Sequence, residues 1–251
     1  MQNQNITSLE NWSKMFSILQ TISKIHVKNE ASIKRFMDAI AWLMRSGARW
    51  RDMPPAFGLG NSILKRFIRW ARLGVWDYVF EQIIDTPDLE YASMDSTIIK
   101  VHVLVNVPLD QQECEGLGRS VGGYTSKIHA LIDALGYPLK FIVTSGARHD
   151  VTQAQLLTVD LFNSKLLADK AYESHDFRMH LKDRNCVPVI PFKSNALNPE
   201  PYDKDLYKER NHVERFFLRI KYFRRLFTRF DKKLLSYKAF LTIAGITVWI
   251  R

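Results

Sequence analysis

The first 88 residues carry apolar side chains at the three- and four-residue spacing of amphipathic helices. This spacing predicts one helix within residues 1–30 and a stronger one over residues 32–47. A third helix is predicted over residues 61–73 and a short fourth one over residues 75–84. The pattern therefore predicts a small all-helical N-terminal domain of helix-turn-helix type over residues 1–88.

From Tyr91 onward the pattern changes to extended segments rich in β-branched residues, which indicate strands. The predicted order is strands 92–105, 124–133 and 137–144, helix 150–162, strand 166–168, helix 174–184, strand 186–192 and a long helix from residue 207. Three antiparallel strands followed by alternating helices and strands are the arrangement of a ribonuclease-H-like mixed sheet flanked by helices. The sequence therefore predicts an α/β domain of this class over residues 89–251.

The long helix over residues 207–221 combines an apolar flank with a polar stripe. At 100° per residue, Tyr207, Arg210, Glu214 and Lys221 share a stripe about 60° wide. A carboxylate beside cations and a phenol suits a hard cation together with phosphate groups. The alternative is a solvated helix face, on which Arg210 and Glu214 form an i,i+4 ion pair that contributes about 0.2–0.5 kcal/mol.

Two more acids lie on predicted strands that are neighbours in a ribonuclease-H-like sheet. Asp95 lies in the first strand among apolar residues, where an acid rarely lacks a partner, and Asp169 ends the strand that follows the first helix of the sheet domain. The later helix can bring Glu214 against them. Three clustered acids repel one another strongly without metal, whereas with two Mg²⁺ ions they form a site for phosphoryl transfer.

Other titratable residues are weaker candidates for this site. Asp133 ends a strand at a hairpin and is expected to serve the turn. Asp150 opens a predicted helix and is expected to cap it. Glu209 points away from the polar stripe of its helix. His102 and His129 could line the cleft, but a buried, hydrogen-bonded role is favoured for both.

The chain is basic, with 36 lysines and arginines against 26 acidic residues and a formal net charge of +10. The excess is concentrated over residues 204–233, which hold eleven basic and four acidic side chains. This balance predicts a polyanionic partner.

The third predicted helix adds a basic face of four side chains. Two of them are adjacent in sequence, and the other spacings are three, four or seven residues. The four residues are Lys65, Arg66, Arg69 and Arg72. This face either lies on DNA or is an ordinary solvated helix face, and the sequence leaves both interpretations open.

Two cysteines, Cys114 and Cys186, lie far apart and have no second Cys or His at zinc-ligand spacing. They predict a reduced cytosolic protein without a zinc site. No secretory signal follows Met1, and the most apolar segment, residues 239–250, is too short to span a bilayer. We therefore expect a buried terminal helix, a cytoplasmic location and no membrane partner.

Several motifs together carry a family resemblance. Residues 207–221 read Tyr-x2-Arg-x3-Glu-x6-Lys, Asp95 stands in Met-Asp-Ser-Thr, and Asp169 stands in Ala-Asp-Lys-Ala-Tyr. Residues 118–123 (Gly-Arg-Ser-Val-Gly-Gly) and 125–130 (Thr-Ser-Lys-Ile-His-Ala) add to them. With these motifs, nearly the whole chain resembles the bacterial DDE transposases of insertion-sequence families four and five.

The resemblance implies an enzyme that cuts transposon ends and joins their 3′-hydroxyls to target DNA by two-metal phosphoryl transfer. By this resemblance, Asp95, Asp169 and Glu214 are expected to be the catalytic residues and to hold two Mg²⁺ ions, for which Mn²⁺ can substitute. No covalent protein–DNA intermediate is implied.

The resemblance also implies the partners of the chain. Tyr207, Arg210 and Lys221 are expected to contact phosphates near the transposon end, and only Arg210 can do so through a planar fork. Terminal inverted repeats and target DNA are the expected ligands, bound by a homodimer because two ends must be cut in concert. The expected location is the bacterial cytoplasm, in association with the nucleoid.

Two rival functions stay open at this point. A catalytically inactive or repurposed relative would keep the basic helices and bind DNA without cutting it. A ribonuclease-H-like nuclease would cut DNA without joining strands. Supplying DNA ends that are already cut, and looking for strand-transfer products, separates the second rival from a transposase.

Overall fold

The computed structural model describes residues 9–120, 122–192 and 201–250, which form two compact units. The first unit contains the described residues up to Asp85, the short segment Leu104–Asn106 and the described residues from Ile220 onward. The second unit contains Thr86–Val103 and the described part of Val107–Arg219. The division into domains at residues 88 and 89 stays a prediction. In the structure, the C-terminal segment from Ile220 groups with the N-terminal helices.

The α-helices of the described residues are numbered here in chain order. They are α1 Leu9–Gln20, α2 Glu30–Ser46, α3 Gly60–Arg72, α4 Val75–Ile83, α5 Val151–Leu157, α6 His175–Lys182, α7 Lys204–Tyr207, α8 Asn211–Lys221, α9 Arg224–Phe227 and α10 Leu234–Trp249.

The strands of the described residues are numbered in the same way. They are β1 Tyr91–Val101, β2 Gly118–Ser120, β3 Gly123–Ile132, β4 Pro138–Ser145, β5 Lys165–Leu167, β6 Val187–Val189 and β7 Thr228–Arg229. All except β7 belong to the second unit.

The first unit is built around α10, a helix that is apolar on all sides. Every residue from Ala239 to Val248 is buried, because α3 and α4 pack against this helix. The ring of Phe240 stacks on that of Phe67 in α3, with the centroids 4.4 Å apart. The terminal helix predicted over residues 239–250 is thus confirmed as buried, and it begins earlier, at Leu234. Within the described residues, no helix combines the length and the apolarity needed to cross a membrane.

The second unit is a mixed sheet with the strand order β4, β3, β1, β5, β6. Strands β1, β3 and β4 pair antiparallel, whereas β5 lies parallel to β1 and β6 lies parallel to β5. The short strand β2 pairs with the first residues of β3. Three antiparallel strands with two parallel strands on the far side of β1 form the ribonuclease-H-like arrangement. The predicted fold class is therefore confirmed.

Helices cover both faces of this sheet. On one face, Met94 of β1 belongs to an apolar cluster that includes Leu157 of α5. On the other face, the ring of Phe141 in β4 stacks on that of Phe216 in α8, with the centroids 5.8 Å apart. The strand register places Asp95 in line with Phe141. Asp95 therefore points to the face that α8 covers.

The long helix predicted over residues 207–221 is interrupted in the structure. Helix α7 ends at Tyr207, a 3₁₀ turn follows over Lys208–Arg210, and α8 begins at Asn211. Because a 3₁₀ turn is wound more tightly than an α-helix, the part before Arg210 is rotated relative to the part after it. The single stripe about 60° wide is therefore wrong in detail, although Arg210 and Glu214 keep their contact.

Candidate active site

Asp95 lies in the middle of β1 with a carboxylate that is only 22% exposed. Its Oδ1 atom accepts a hydrogen bond from the backbone N–H of Ser96 at 2.7 Å. Burial raises the pKa of Asp95, and the nearby charge of Asp169 raises it further, whereas the Ser96 N–H and the Arg210 guanidinium lower it. Burial thus disfavours the charged form of Asp95, and the guanidinium of Arg210 offsets this effect.

Asp169 follows β5 at the level of Asp95. Strands β1 and β5 are parallel, with Ser93 opposite Leu167. Two residues further along each strand, Asp95 and Asp169 take equivalent positions on the same face. The Asp169 side chain also caps a 3₁₀ turn by accepting a hydrogen bond from the backbone N–H of Ala171 at 3.0 Å. The strand order thus brings together two acids that lie far apart in the sequence.

Arg210 connects Asp95 to Glu214. Its Nη1 atom donates to Oδ2 of Asp95 at 2.7 Å, and its Nη2 atom donates to Oε1 of Glu214 at 2.6 Å. The arginine is 17% exposed, whereas Glu214 is 54% exposed. One guanidinium therefore holds two of the three predicted acids next to each other and leaves Glu214 open to solvent.

Tyr207 completes this group from the end of α7. Its ring centroid lies 5.8 Å from Cζ of Arg210, within the range of a cation–π contact. Burial is the main effect that raises the pKa of Tyr207, so its hydroxyl stays protonated at neutral pH and can donate a hydrogen bond. Lys221 is the last residue of α8 and belongs to the first unit.

The three acids offer oxygen ligands, which suit a hard divalent cation such as Mg²⁺. Across the described ranges, however, no three His, Cys, Asp or Glu side chains are gathered closely enough to hold a metal ion. Arg210 instead supplies the positive charge between Asp95 and Glu214. The residue types fit the metal, and the observed arrangement requires Arg210 to release at least one carboxylate before three acids can share ions.

A second polar cluster lies on the opposite face of the sheet and centres on Asp150. Its Oδ1 atom accepts a hydrogen bond from Oγ of Ser96 at 2.8 Å and another from Nζ of Lys127 at 3.0 Å. The predicted helix-capping role of Asp150 is wrong, because its side chain makes no cap hydrogen bond in α5. The carboxylate points back to the sheet because a buried lysine is available there.

The other weak candidates lie outside the group around Asp95. Asp133 accepts hydrogen bonds from backbone N–H groups of its turn, including that of Tyr137 at 2.8 Å, which confirms its role in the turn. His129 is fully buried, and its Nε2 atom is hydrogen-bonded to Oγ1 of Thr144 at 3.0 Å, as expected for a structural histidine. Glu209 is hydrogen-bonded to Nε2 of His212 in α8 at 3.1 Å.

The basic face of α3 is largely open to solvent. Lys65, Arg69 and Arg72 are exposed. Arg66 is half-buried, with Cζ 5.2 Å from the ring centroid of Phe36, so part of its role is to pack against α2 within the first unit. Three of the four predicted cations are thus available to an anionic partner.

Two family models match the chain. Residues 89–249 match the model described as "Transposase DDE domain", and residues 8–80 match the model described as "Putative transposase of IS4/5 family". The first match contains Asp95, Asp169 and Glu214.

Individual relatives are similar over parts of the chain. The protein described as "Putative transposase for insertion sequence element IS6501" from Brucella ovis is 34% identical over 132 residues, which are 51% of this chain and 99% of that protein. The corresponding protein of IS402 from Burkholderia cepacia is 33% identical over 131 residues, or 47% of this chain and 59% of that protein. Protein y4sN of Sinorhizobium fredii is 36% identical over 88 residues, or 35% of this chain and 63% of that protein.

Two solved structures are similar at low identity. The synaptic complex of piggyBac transposase with hairpin DNA has a TM-score of 0.41 and 13% identity, with coverage of 77% of this chain and 50% of that chain. The pre-cleavage Mos1 transpososome has a TM-score of 0.30 and 11% identity, with coverage of 91% and 81%. Both similarities are weak, and the assignment of the fold depends on the strand order described above.

Proposed function

The chain belongs to the IS4/5-type transposases with a DDE domain, and we propose that it cuts the ends of an insertion sequence and joins their 3′-hydroxyls to target DNA. The observation that carries this proposal is the group of acids around Arg210. Asp95 and Glu214 share one guanidinium, and Asp169 lies at the level of Asp95 on the neighbouring strand. Acids from distant parts of the chain that meet around one guanidinium favour a site for cations.

In the proposed site, Asp95, Asp169 and Glu214 would hold two Mg²⁺ ions, with Mn²⁺ as a substitute. When bound, these ions supply an activated water or 3′-hydroxyl and stabilise the leaving oxygen of the phosphodiester. The half-buried Asp95 keeps its carboxylate oriented through the N–H of Ser96. The exposed Glu214 can change its partner at small cost.

Arg210 is proposed to neutralise the acids first and to bind DNA afterwards. Once cations take over the carboxylates, the guanidinium fork is free to bind a phosphate through two parallel hydrogen bonds. Tyr207, which lies against this guanidinium, keeps a protonated hydroxyl that can donate to the same phosphate. Lys221 would add a further phosphate contact as a point charge.

The remaining DNA contacts are proposed for the first unit. Lys65, Arg69 and Arg72 form an exposed basic face on α3, to which Arg66 contributes in part. Terminal inverted repeats and target DNA are the proposed ligands, within the bacterial nucleoid. Because both transposon ends must be cut in concert, a homodimer on the DNA is proposed.

Replacing Glu214 by glutamine tests the proposal directly. Glutamine keeps the size of the side chain and removes the charge that a metal ion needs. We expect Glu214→Gln to bind a duplex carrying the terminal repeat of the parent element as the unsubstituted chain does. We expect it to lose Mg²⁺-dependent cleavage and joining, which gel mapping of the cut phosphate will detect. The control is Glu209→Gln, which should cut normally, and undiminished cleavage by Glu214→Gln would refute the assignment.

A transposase relative that only binds DNA is the second candidate. It is favoured by one observation, since Arg210 already neutralises Asp95 and Glu214 and no three-acid group is assembled in the described residues. Incubation with pre-cut ends, target DNA and Mn²⁺ separates the candidates. Strand-transfer products support the transposase, cleavage without joining supports a nuclease, and end-specific binding without either product supports the second candidate.

A further inference from the structure

Ser96 connects the two polar clusters of the sheet. It follows Asp95 in β1, so the two side chains point to opposite faces. On one side, the backbone N–H of Ser96 donates to Oδ1 of Asp95 at 2.7 Å. On the other side, the Ser96 hydroxyl donates to Oδ1 of Asp150 at 2.8 Å. Ser96, which orients the proposed metal ligand Asp95, is therefore itself held by a hydrogen bond on the opposite face of the sheet.

Asp150, which accepts the hydrogen bond of the Ser96 hydroxyl, is itself held in place by Lys127. Nζ of Lys127 donates to Oδ1 of Asp150 at 3.0 Å and to the backbone carbonyl of Arg148 at 2.8 Å. Lys127 lies on β3, next to β1 in the sheet. The segment that carries Asp150 is thus tied to two strands at once, which leaves little freedom for the Ser96 hydroxyl.

The same elements are coupled electrostatically through Tyr172, which ends the 3₁₀ turn that Asp169 caps. Its side chain is fully buried in the cluster beneath α5 and α6. Burial raises the pKa of Tyr172, and the charges of Asp150 and Asp95 raise it further. Asp150 and Asp95 therefore both act on the same buried phenol, from opposite faces of the sheet.

We propose that Ser96, Lys127 and Asp150 form a positioning network that fixes the carboxylate of Asp95 for metal binding. This inference rests on the proposed function, since it assigns Asp95 a metal ion. None of the three residues touches the reacting atoms, because their side chains lie on the opposite face of the sheet. They act through the backbone of β1, as hydrogen-bond partners behind metal ligands do elsewhere.

An ordinary structural ion pair is the competing explanation, and the chain offers a reference for it. Lys140 and Asp160 form an ion pair at 2.8 Å in the same unit, but Asp160 is 82% exposed and its carboxylate accepts no further hydrogen bond among those described. Asp150, in contrast, is 20% exposed and accepts from Ser96 as well. The hydrogen bond from the Ser96 hydroxyl is therefore the feature that the reference ion pair lacks. Removing this hydroxyl tests whether the network positions Asp95 or only stabilises the fold.

Substitutions at Ser96 separate the two explanations without changing any charge. Ser96→Ala and Ser96→Val remove the hydroxyl, whereas Ser96→Thr keeps it and has the same shape as valine. Ser93→Ala is the matched control, since Ser93 is a buried serine of the same strand whose hydroxyl has no hydrogen-bond partner among the described residues. The probe is Mn²⁺ alone, titrated into the full chain and followed by the electron paramagnetic resonance signal of the free ion.

We expect Ser96→Ala and Ser96→Val to bind Mn²⁺ about 10–100-fold more weakly, with Ser96→Thr and Ser93→Ala close to the unsubstituted chain. Melting temperatures of Ser96→Ala and Ser93→Ala should be similar. The proposal is overturned if the unsubstituted chain binds no Mn²⁺. It is also overturned if removal of the hydroxyl leaves the affinity unchanged, or if affinity only follows melting temperature across all four variants.

The same variants show which of the two proposals fails. If Mn²⁺ affinity follows the hydroxyl but the unsubstituted chain itself cuts no DNA ends, the positioning network stands and the proposed function fails. If the unsubstituted chain cuts DNA ends and Ser96→Val cuts them equally well, the proposed function stands and the network fails.

Discussion

Asp95 and Asp150 lie on opposite faces of one sheet, and each is paired with a cation of a different kind. Arg210 reaches Asp95 from the turn before α8 and shares its guanidinium with the exposed Glu214. Lys127 reaches Asp150 from the neighbouring strand and is 11% exposed. Under the proposed function, the first cation exchanges its carboxylates for solvent or phosphate, whereas the second is held between Asp150 and a backbone carbonyl. We call the face with Asp95, Arg210 and Glu214 the working face, and the face with Ser96, Lys127 and Asp150 the supporting face. Under the proposed function, the ion pairs of the working face must break, whereas those of the supporting face must stay formed.

Loss of the fixed cation is expected to have the largest effect on stability. Lys127→Met keeps most of the side-chain volume but leaves the Asp150 carboxylate without its charge partner. Breaking a buried ion pair from one side typically costs about 3–5 kcal/mol in the free energy of unfolding. Urea unfolding followed by circular dichroism at neutral pH measures this loss.

Lys140→Met is the matched control for this prediction. Its partner Asp160 is almost fully exposed, so the loss should be about 0.2–1 kcal/mol. Adding Asp150→Asn to Lys127→Met should recover part of the stability, because the unpaired charge is then removed as well. Equal losses at Lys127 and Lys140 would show that the supporting face is no more closed than the surface.

The second-largest expected effect is a loss of folding stability at acidic pH, caused by the buried His129 of the supporting face. Burial lowers the pKa of His129 to about 4, from an ordinary value of 6.5. Between pH 6.5 and about 4 the unfolded chain binds a proton that the folded chain does not, so stability falls as the pH falls through this window. The full loss from this group is about 3 kcal/mol.

A difference measurement isolates the contribution of His129 from the carboxylates that titrate nearby. The free energy of unfolding is measured at several pH values between 7 and 4 for the unsubstituted chain and for His129→Gln. The gap between the two curves should shrink or reverse on acidification. The exposed His175 provides the control, since His175→Gln should follow the unsubstituted chain throughout. A constant gap for His129→Gln contradicts the prediction.

The working face was easier to predict from the sequence than the supporting face. Arg210 and Glu214 are four residues apart, and local helix geometry alone brings them together. Asp95 and Asp169 required the order of the strands, which the change of periodicity near Tyr91 made accessible. Both steps depend on backbone regularities that the sequence pattern reports directly.

The network behind Asp95 was missed because Asp150 opens a helix and looks like a cap. Which way such a side chain points depends on whether a buried partner competes with the backbone N–H groups of the helix. A signal was present on β3, a strand that is buried from Thr125 onward, where Lys127 and His129 alternate and therefore share a face. Polar residues at such positions need buried partners, and the register places Ser96 opposite His129.

The positions at which helices are interrupted, and the grouping of distant helices, could also not be predicted from the local sequence pattern. The polar spacing from Tyr207 to Lys221 fits one helix, yet a 3₁₀ turn interrupts it over Lys208–Arg210. The grouping of α10 with the N-terminal helices depends on the aromatic partner that Phe67 offers to Phe240. Such contacts between distant segments are not encoded in the periodicity of either segment.

Loss of the exchangeable cation is expected to have the smallest effect on stability and the most specific signature. Arg210→Met leaves Asp95 without its charge partner beside the like charge of Asp169. Because this site is partly open, the loss should be about 1–3 kcal/mol. Mg²⁺ should then stabilise the variant more than the unsubstituted chain, since the ion no longer competes with a guanidinium for the carboxylates.

Thermal unfolding with and without Mg²⁺ measures this signature. Arg215→Met is the control, because Arg215 is an exposed arginine of α8, the helix that follows the turn with Arg210, and its response to Mg²⁺ should equal that of the unsubstituted chain. A larger Mg²⁺-induced rise in melting temperature for Arg210→Met alone would show that the arginine and the metal occupy the acids in turn. An equal rise in all three proteins would mean that the metal does not displace Arg210, and the working face would then be as closed as the one behind it.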